Sequence, residues 1–125
     1  MQFVKKVVIS ALLATVSLTA FAEATGEAKV REAAEGTIVK IQEAVSLAEQ
    51  NKDVAEINQA INAARQLQKE FRYEITERQR QKSNDKLRMA RDEFESGDKA
   101  KALETLKAAL AGYSEMKATY DANHK

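Results

Sequence analysis

Proline occurs nowhere in this 125-residue chain, and after Glu23 apolar residues return every three or four positions in four separate segments. A chain with no proline and only four glycines has few places to stop a helix. Ala, Glu, Lys, Gln, Arg and Leu, all strong helix formers, dominate the remainder. No stretch alternates apolar and polar residues as a half-buried strand does. The pattern predicts an all-α fold.

Four apolar stripes are visible. Val30, Ala34, Ile38, Ile41, Val45 and Ala48 form the first, and Val54, Ile57, Ile61, Ala64, Leu67 and Phe71 the second. Leu87, Ala90 and Phe94 form the third. Leu103, Leu106, Leu110, Tyr113 and Tyr120 form the fourth, with Met116 beside it. Glu49 to Asp53 separates the first pair: Asn51 tolerates the left-handed conformation that closes a helix, and Asp53 with Glu56 reads as a capping box. Glu95 to Asp98 separates the second pair, with Gly97 as the closing residue and Asp98 as the N-cap. Both turns are short, so each pair is a helical hairpin.

A shift of 46 residues places Ile41 on Leu87, Ala44 on Ala90, Glu49 on Glu95, Asn51 on Gly97, Ile57 on Leu103 and Ala63 on Ala109. Two such hairpins bury their stripes against each other as an antiparallel four-helix bundle. The alternative is an open tandem stack, for which 95–104 suits a tetratricopeptide-like unit; solenoids generally need three or more repeats. Thr76 to Lys86 has no apolar residue. It reads either as a loop between hairpins or as a helix capped by Thr76 and Gln79; the absence of Gly and Pro favours a helix, solvated on all sides or extending past the bundle.

The N-terminus follows the export pattern. Lys5 and Lys6 precede an uncharged run from Val7 to Ala20, then Ala20-Phe21-Ala22 and the acidic Glu23. The run is shorter than the roughly 20 residues of a membrane span. Residues 1–22 are therefore expected to be a cleavable signal peptide and 23–125 a single periplasmic domain without a transmembrane segment. Without cysteine there is neither a disulfide nor a lipid-bearing cysteine. The domain carries 18 Lys+Arg against 19 Asp+Glu, a balance that argues against a nucleic-acid partner.

Catalytic signatures are missing. The one histidine, His124, stands next to the C-terminus and reads as a solvated tail residue. No Ser-His-Asp set, Cys–His pair or glycine-rich phosphate loop is present. Met89 and Met116 lie near stripes and read as core filling rather than haem ligands. Glu32, Glu35, Glu43, Glu49, Glu93, Glu95 and Glu104 fall mainly off the stripes and read as solvated. The chain is expected to be non-enzymatic and to need no cofactor, a divalent metal being the one candidate.

Charge is unevenly spread. Residues 23–64 sum to −4, 65–91 to +5 and 92–125 to −2. The basic middle holds Arg65, Lys69, Arg72, Arg78, Arg80, Lys82, Lys86, Arg88 and Arg91, with Phe71 and Tyr73 interleaved. Such a surface docks an acidic partner, an anionic lipid or an acidic stretch of an unfolded client. The bland alternative is a solvated helix whose charges pair with Glu70, Glu74, Glu77 and Asp85. Arg72, Arg78, Arg80, Lys82 and Lys86 are the candidate partner-binding residues.

Ile38 to Leu67, with its Ala-Glu-Gln-Asn turn, and Asn84 to Met116 resemble the small metal-binding proteins of the bacterial periplasm (the SmbP-like family). The resemblance implies a four-helix bundle that binds divalent metals, notably copper, through histidines at helical spacing. The chain departs from it there: Gln59, Asn62, Arg65, Glu104 and Lys107 stand where such histidines are expected, so no metal ligand carries over. Three functions follow as expectations: a basic helical surface for a protein or anionic partner; weak divalent-metal binding; and an envelope stress chaperone of the Spy/CpxP type. The last group's Leu-Thr-x-x-Gln signature has only a loose echo here, at 74–79.

Overall fold

The computed structural model describes residues 26–124; the expected export segment lies outside them. Four helices follow in order: α1 (Gly26–Glu49), α2 (Val54–Leu67), α3 (Glu77–Glu95) and α4 (Lys99–Asn123). Short 3₁₀ turns at Gln68–Glu70 and Glu74–Thr76 carry the chain from α2 to α3. Helices α1 and α2 form one hairpin and α3 and α4 the other. Helix α2 packs on α3, and α4 packs back on α1. That last contact closes an antiparallel four-helix bundle and rules out the open stack. Lys107 Nζ reaches Glu49 at 3.2 Å, and the Tyr120 hydroxyl donates to the Glu27 carbonyl at 3.2 Å, tying α4 to both ends of α1.

Both hairpin turns close as the sequence predicts. Asn51 takes φ 59° and Gly97 φ 90°. In each turn the next N–H reaches back five residues, Lys52 to Leu47 and Asp98 to Glu93, both at 3.0 Å. This is the Schellman closure, which satisfies carbonyls left open at a helix end. Asp98 then caps α4 by accepting from the Lys101 N–H. The expected Asp53–Glu56 box does not form, since the Asp53 side chain makes no cap hydrogen bond. Nor does Thr76 cap α3; its hydroxyl donates to the Tyr73 carbonyl instead.

The hairpins bury equivalent positions with one correction to the expected register. Thr37, Ile41, Ala44 and Ala48 of α1 recur 46 residues later as the buried Ser83, Leu87, Ala90 and Phe94 of α3. After the turn the offset is 45, so Ile57, Ile61 and Ala64 recur as Ala102, Leu106 and Ala109. The reason is that the first turn holds one residue more, Gln50 to Asp53 against Ser96 to Asp98. The centre of the α4 stripe is therefore Ala102, Leu106, Ala109, Tyr113, Met116 and Tyr120, with Leu103 and Leu110 on its flank.

The core is small-residue rich, which lets the helices approach closely. Ile41, Ile61, Leu87, Leu106, Met116 and Phe71 are fully buried among nine alanines buried to 5% exposure or less. Truncating one of the large side chains to Ala removes ~2–5 kcal/mol. Phe71 belongs to this core and Tyr73 packs on it, so neither is a free aromatic of the basic region. Met89 is the reverse case: it is 47% exposed and fills no core.

Candidate functional site

Helix α3 is the most polar of the four, and it is helical from Glu77 onward, so 77–86 is not a loop. Nor is it solvated on all sides. Ser83 is buried against Gly112 of α4, and Arg80 turns inward. Only 15% of the Arg80 side chain is exposed. Its guanidinium donates to Gln68 Oε1 at 3.0 Å and pairs with the Glu77 carboxylate. Gln68 Oε1 also accepts from the Tyr113 hydroxyl at 3.1 Å, while Gln68 Nε2 donates to the Arg65 carbonyl at 3.1 Å. The result is a polar knot inside the bundle that fixes the start of α3 against the end of α2 and the middle of α4.

The electrostatics of the knot follow from its burial. Arg80 holds the Glu77 carboxyl below the usual carboxylate range, mainly by hydrogen bonding, against a smaller opposing effect of burial. Burial drives the Tyr113 phenol well above its ordinary range, and the nearby Arg80 charge offsets only part of that. Arg80 therefore acts as a buried structural cation and does not share the surface of the other candidates.

Those others divide by what they touch. Arg65 donates to Asn84 at 3.4 Å, Lys69 to Gln66 at 3.2 Å, Arg88 pairs with Asp85 at 3.4 Å and Arg91 with Asp92 at 3.2 Å. Arg72 lies exposed between the two 3₁₀ turns. Arg78, Lys82 and Lys86 are exposed on α3, and together with Arg72 they make no ion pair or side-chain hydrogen bond among the described residues. At 3.6 residues per turn, Arg78, Lys82, Lys86 and Met89 fall within an arc of about 80° that lies beside the buried face of α3, between its outer side and α4. The structure thus brings three of the five candidates onto one outward ridge. It leaves Arg72 near the ridge's start and draws Arg80 to the interior.

Two apolar residues that the stripes did not single out complete the ridge. Ile75 precedes the first turn of α3 and is 69% exposed, more than any other large hydrophobic side chain among the described residues. Thr76 beside it is buried on the core side, which turns Ile75 outward. Met89 lies at the other end. Lys86 and Met89 also border a shallow hollow whose far bank is Glu104, Thr105 and Ala108 of α4. Met89 was detectable by wheel angle, because two residues from Leu87 is about 200° around the helix. Ile75 carried no such signal, being a lone apolar residue in a polar linker.

His124 is not the solvated tail residue the sequence suggests. Its ring stacks on Tyr120 at 3.8 Å and 15°, meets Tyr73 edge-on at 5.2 Å, and brings Nδ1 to 2.7 Å from the Tyr120 carbonyl. Arg31 lies over the Tyr120 ring at 5.7 Å. Burial raises the Tyr120 phenol above its ordinary range. Among the described residues no three His, Cys, Asp or Glu side chains come together as a metal site. The residues present do not fit the histidine-built centre that the resemblance implies. No helix of the described residues is long and apolar enough to cross a membrane. No family model, curated protein or solved structure matches the chain.

Proposed function

We propose that this chain is a non-enzymatic, exported helical-bundle binding protein that presents the outer ridge of α3 to an anionic partner. The observation that carries this reading is the alignment of Arg78, Lys82 and Lys86 on one exposed face without partners among the described residues. Neighbouring cations of the same region are occupied: Arg88 and Arg91 have aspartates, and Arg80 has Glu77 and Gln68. A helix whose charges serve only solubility intersperses both signs and pairs them at i,i+3 and i,i+4. Here the pairing skips Arg78, Lys82 and Lys86, all of which are exposed.

Retention of residues 23–125 on immobilised poly-glutamate, measured across a salt gradient, tests the reading. Salt-sensitive retention that is lost in R78E/K82E/K86E is the expected result. Equal retention of the variant and the parent chain overturns it. The chaperone reading draws on the same ridge, because Ile75 and Met89 add apolar contact to the basic row; suppressed aggregation of an unrelated unfolding protein would favour it.

A further inference from the structure

The geometry points to an anionic lipid surface as the partner of the α3 ridge, docked peripherally through Arg78, Lys82 and Lys86 with Ile75 and Met89 entering the headgroup layer. This rests on the proposal that the ridge binds an anionic partner, and it names the class of that partner.

The order of residue types decides between a membrane and a protein. A protein–protein interface concentrates its apolar anchors at the centre, where they are desolvated, and places charge at the rim. The α3 row is built the other way: Ile75 at one end, Met89 at the other, and the three cations between them. From Arg78 to Met89 the row runs about 17 Å at 1.5 Å per residue, and Ile75 lies beyond it in the 3₁₀ turn. Two apolar side chains that far apart cannot share one pocket, but each enters a bilayer interface independently. The cations stand one helical turn apart and converge on no point, so they are ill suited to a single small anion. A charged bilayer offers negative headgroups along the whole length of the row.

Shape agrees with charge. Arg78 and Lys82 are exposed on α3, and Lys86 and Met89 stand toward its α4 edge, beside the hollow. A partner helix prefers a groove, and the hollow beside Lys86 and Met89 is shallow and carries Glu104 on its far bank. The core face of α3 is occupied by the bundle through Leu87, Ala90 and Phe94, so the helix docks from its outer side without leaving the fold. Binding is correspondingly reversible and depends on the cations. Each Lys or Arg near an anionic bilayer contributes on the order of five- to tenfold in affinity.

Co-sedimentation with vesicles of phosphatidylcholine, with and without phosphatidylglycerol, is the test. Residues 23–125 contain every described core residue and omit the apolar Val7–Ala20 run, which would bind lipid for its own reasons. The expected result is binding to the phosphatidylglycerol vesicles alone, weakened by salt. R78E/K82E/K86E should lose it by about a hundredfold or more, and I75S/M89Q by about tenfold. All five positions are exposed, so unchanged helical melts of both variants keep the comparison valid. Retention on poly-glutamate through the same cations, without vesicle binding, overturns the lipid inference and leaves an acidic protein as the partner. Vesicle binding indifferent to the triple reversal also overturns it. Binding to neither poly-glutamate nor vesicles removes both this inference and the proposed function.

Discussion

Gly112 is a glycine because of Ser83. A Cβ on Gly112 would overlap the Ser83 hydroxyl and touch Ser83 Cβ at 3.4 Å, so α3 and α4 meet here nearly backbone to backbone. In an open helix the change Gly112→Ala would gain about 1 kcal/mol from propensity. Against Ser83 it incurs an overpacking cost of ~1–3 kcal/mol. G112A should therefore be neutral to destabilising, and in an S83A background it should become stabilising. Urea unfolding of the four chains of this cycle gives the coupling; additive effects would remove Ser83 from the explanation.

Gly36 makes the matching contact in the first hairpin and predicts the opposite sign. A Cβ there would stand 3.2 Å from Leu67 Cδ1, the far end of a flexible side chain that is 37% exposed. Leu67 can give way where the buried Ser83 cannot. The propensity gain then wins, and G36A should raise the unfolding free energy by some tenths to about 1 kcal/mol. A loss of more than about 1 kcal/mol would mean Leu67 is held as tightly as a core residue.

Arg78 and Arg80 are two residues apart and should behave as different kinds of arginine. Arg80→Ala strips the buried Gln68 and the half-exposed Glu77 of a charged donor, which costs about 2–3 kcal/mol. Arg78→Ala removes an exposed side chain without a partner among the described residues and should change stability by less than about 0.5 kcal/mol. The polyanion assay should reverse the order, with R78A weakening binding and folded R80A retaining most of it. Similar losses of stability in both variants would contradict the division between ridge and interior.

That division marks where the sequence stopped being legible. Periodicity exposes most of the inward face of α1, α2 and α4, though Val54 and Leu67 prove exposed and Leu103 and Leu110 lie on a flank, and Asn51 and Gly97 mark where helices close, because those choices are local. Arg80 is not local: its burial depends on Gln68 and Tyr113, twelve residues before it and thirty-three after. By pattern alone it is one more cation in a polar run. The slip from 46 to 45 hides for the same reason, since one extra residue in a turn rotates α2 relative to α4 without altering either stripe. Met89 sat in plain view, but an apolar residue beside Leu87 and Ala90 invites assignment to the core until its angle is counted.

The Arg80–Glu77 contact gives the bundle a pH dependence with a definite sign. The Glu77 carboxyl lies below its ordinary range in the fold. The unfolded chain therefore takes up a proton first as pH falls. The stability Glu77 contributes is fully present above the ordinary glutamate range and is lost as pH drops through the lowered folded value. Glu77→Gln should flatten the acid limb of stability against pH while lowering stability at pH 7. An acid limb unchanged by E77Q would show that the Arg80 contact does not distinguish the two protonation states.

Divalent metals test the resemblance most directly. His124 has its Nδ1 against the Tyr120 carbonyl and its ring stacked on Tyr120, which leaves Nε2 as the only free imidazole nitrogen. No three His, Cys, Asp or Glu side chains converge on it or elsewhere among the described residues. A single imidazole without carboxylate support is a weak ligand set for copper, zinc or nickel. Any ligand that binds the native state raises its stability by mass action. Melts of residues 23–125 followed by helical circular dichroism should therefore show no saturable rise with any of the three metals. A rise that saturates, reverses with chelator and disappears in H124A would mean that His124 leaves its stack on Tyr120 to bind metal, and would return the family's chemistry to this chain.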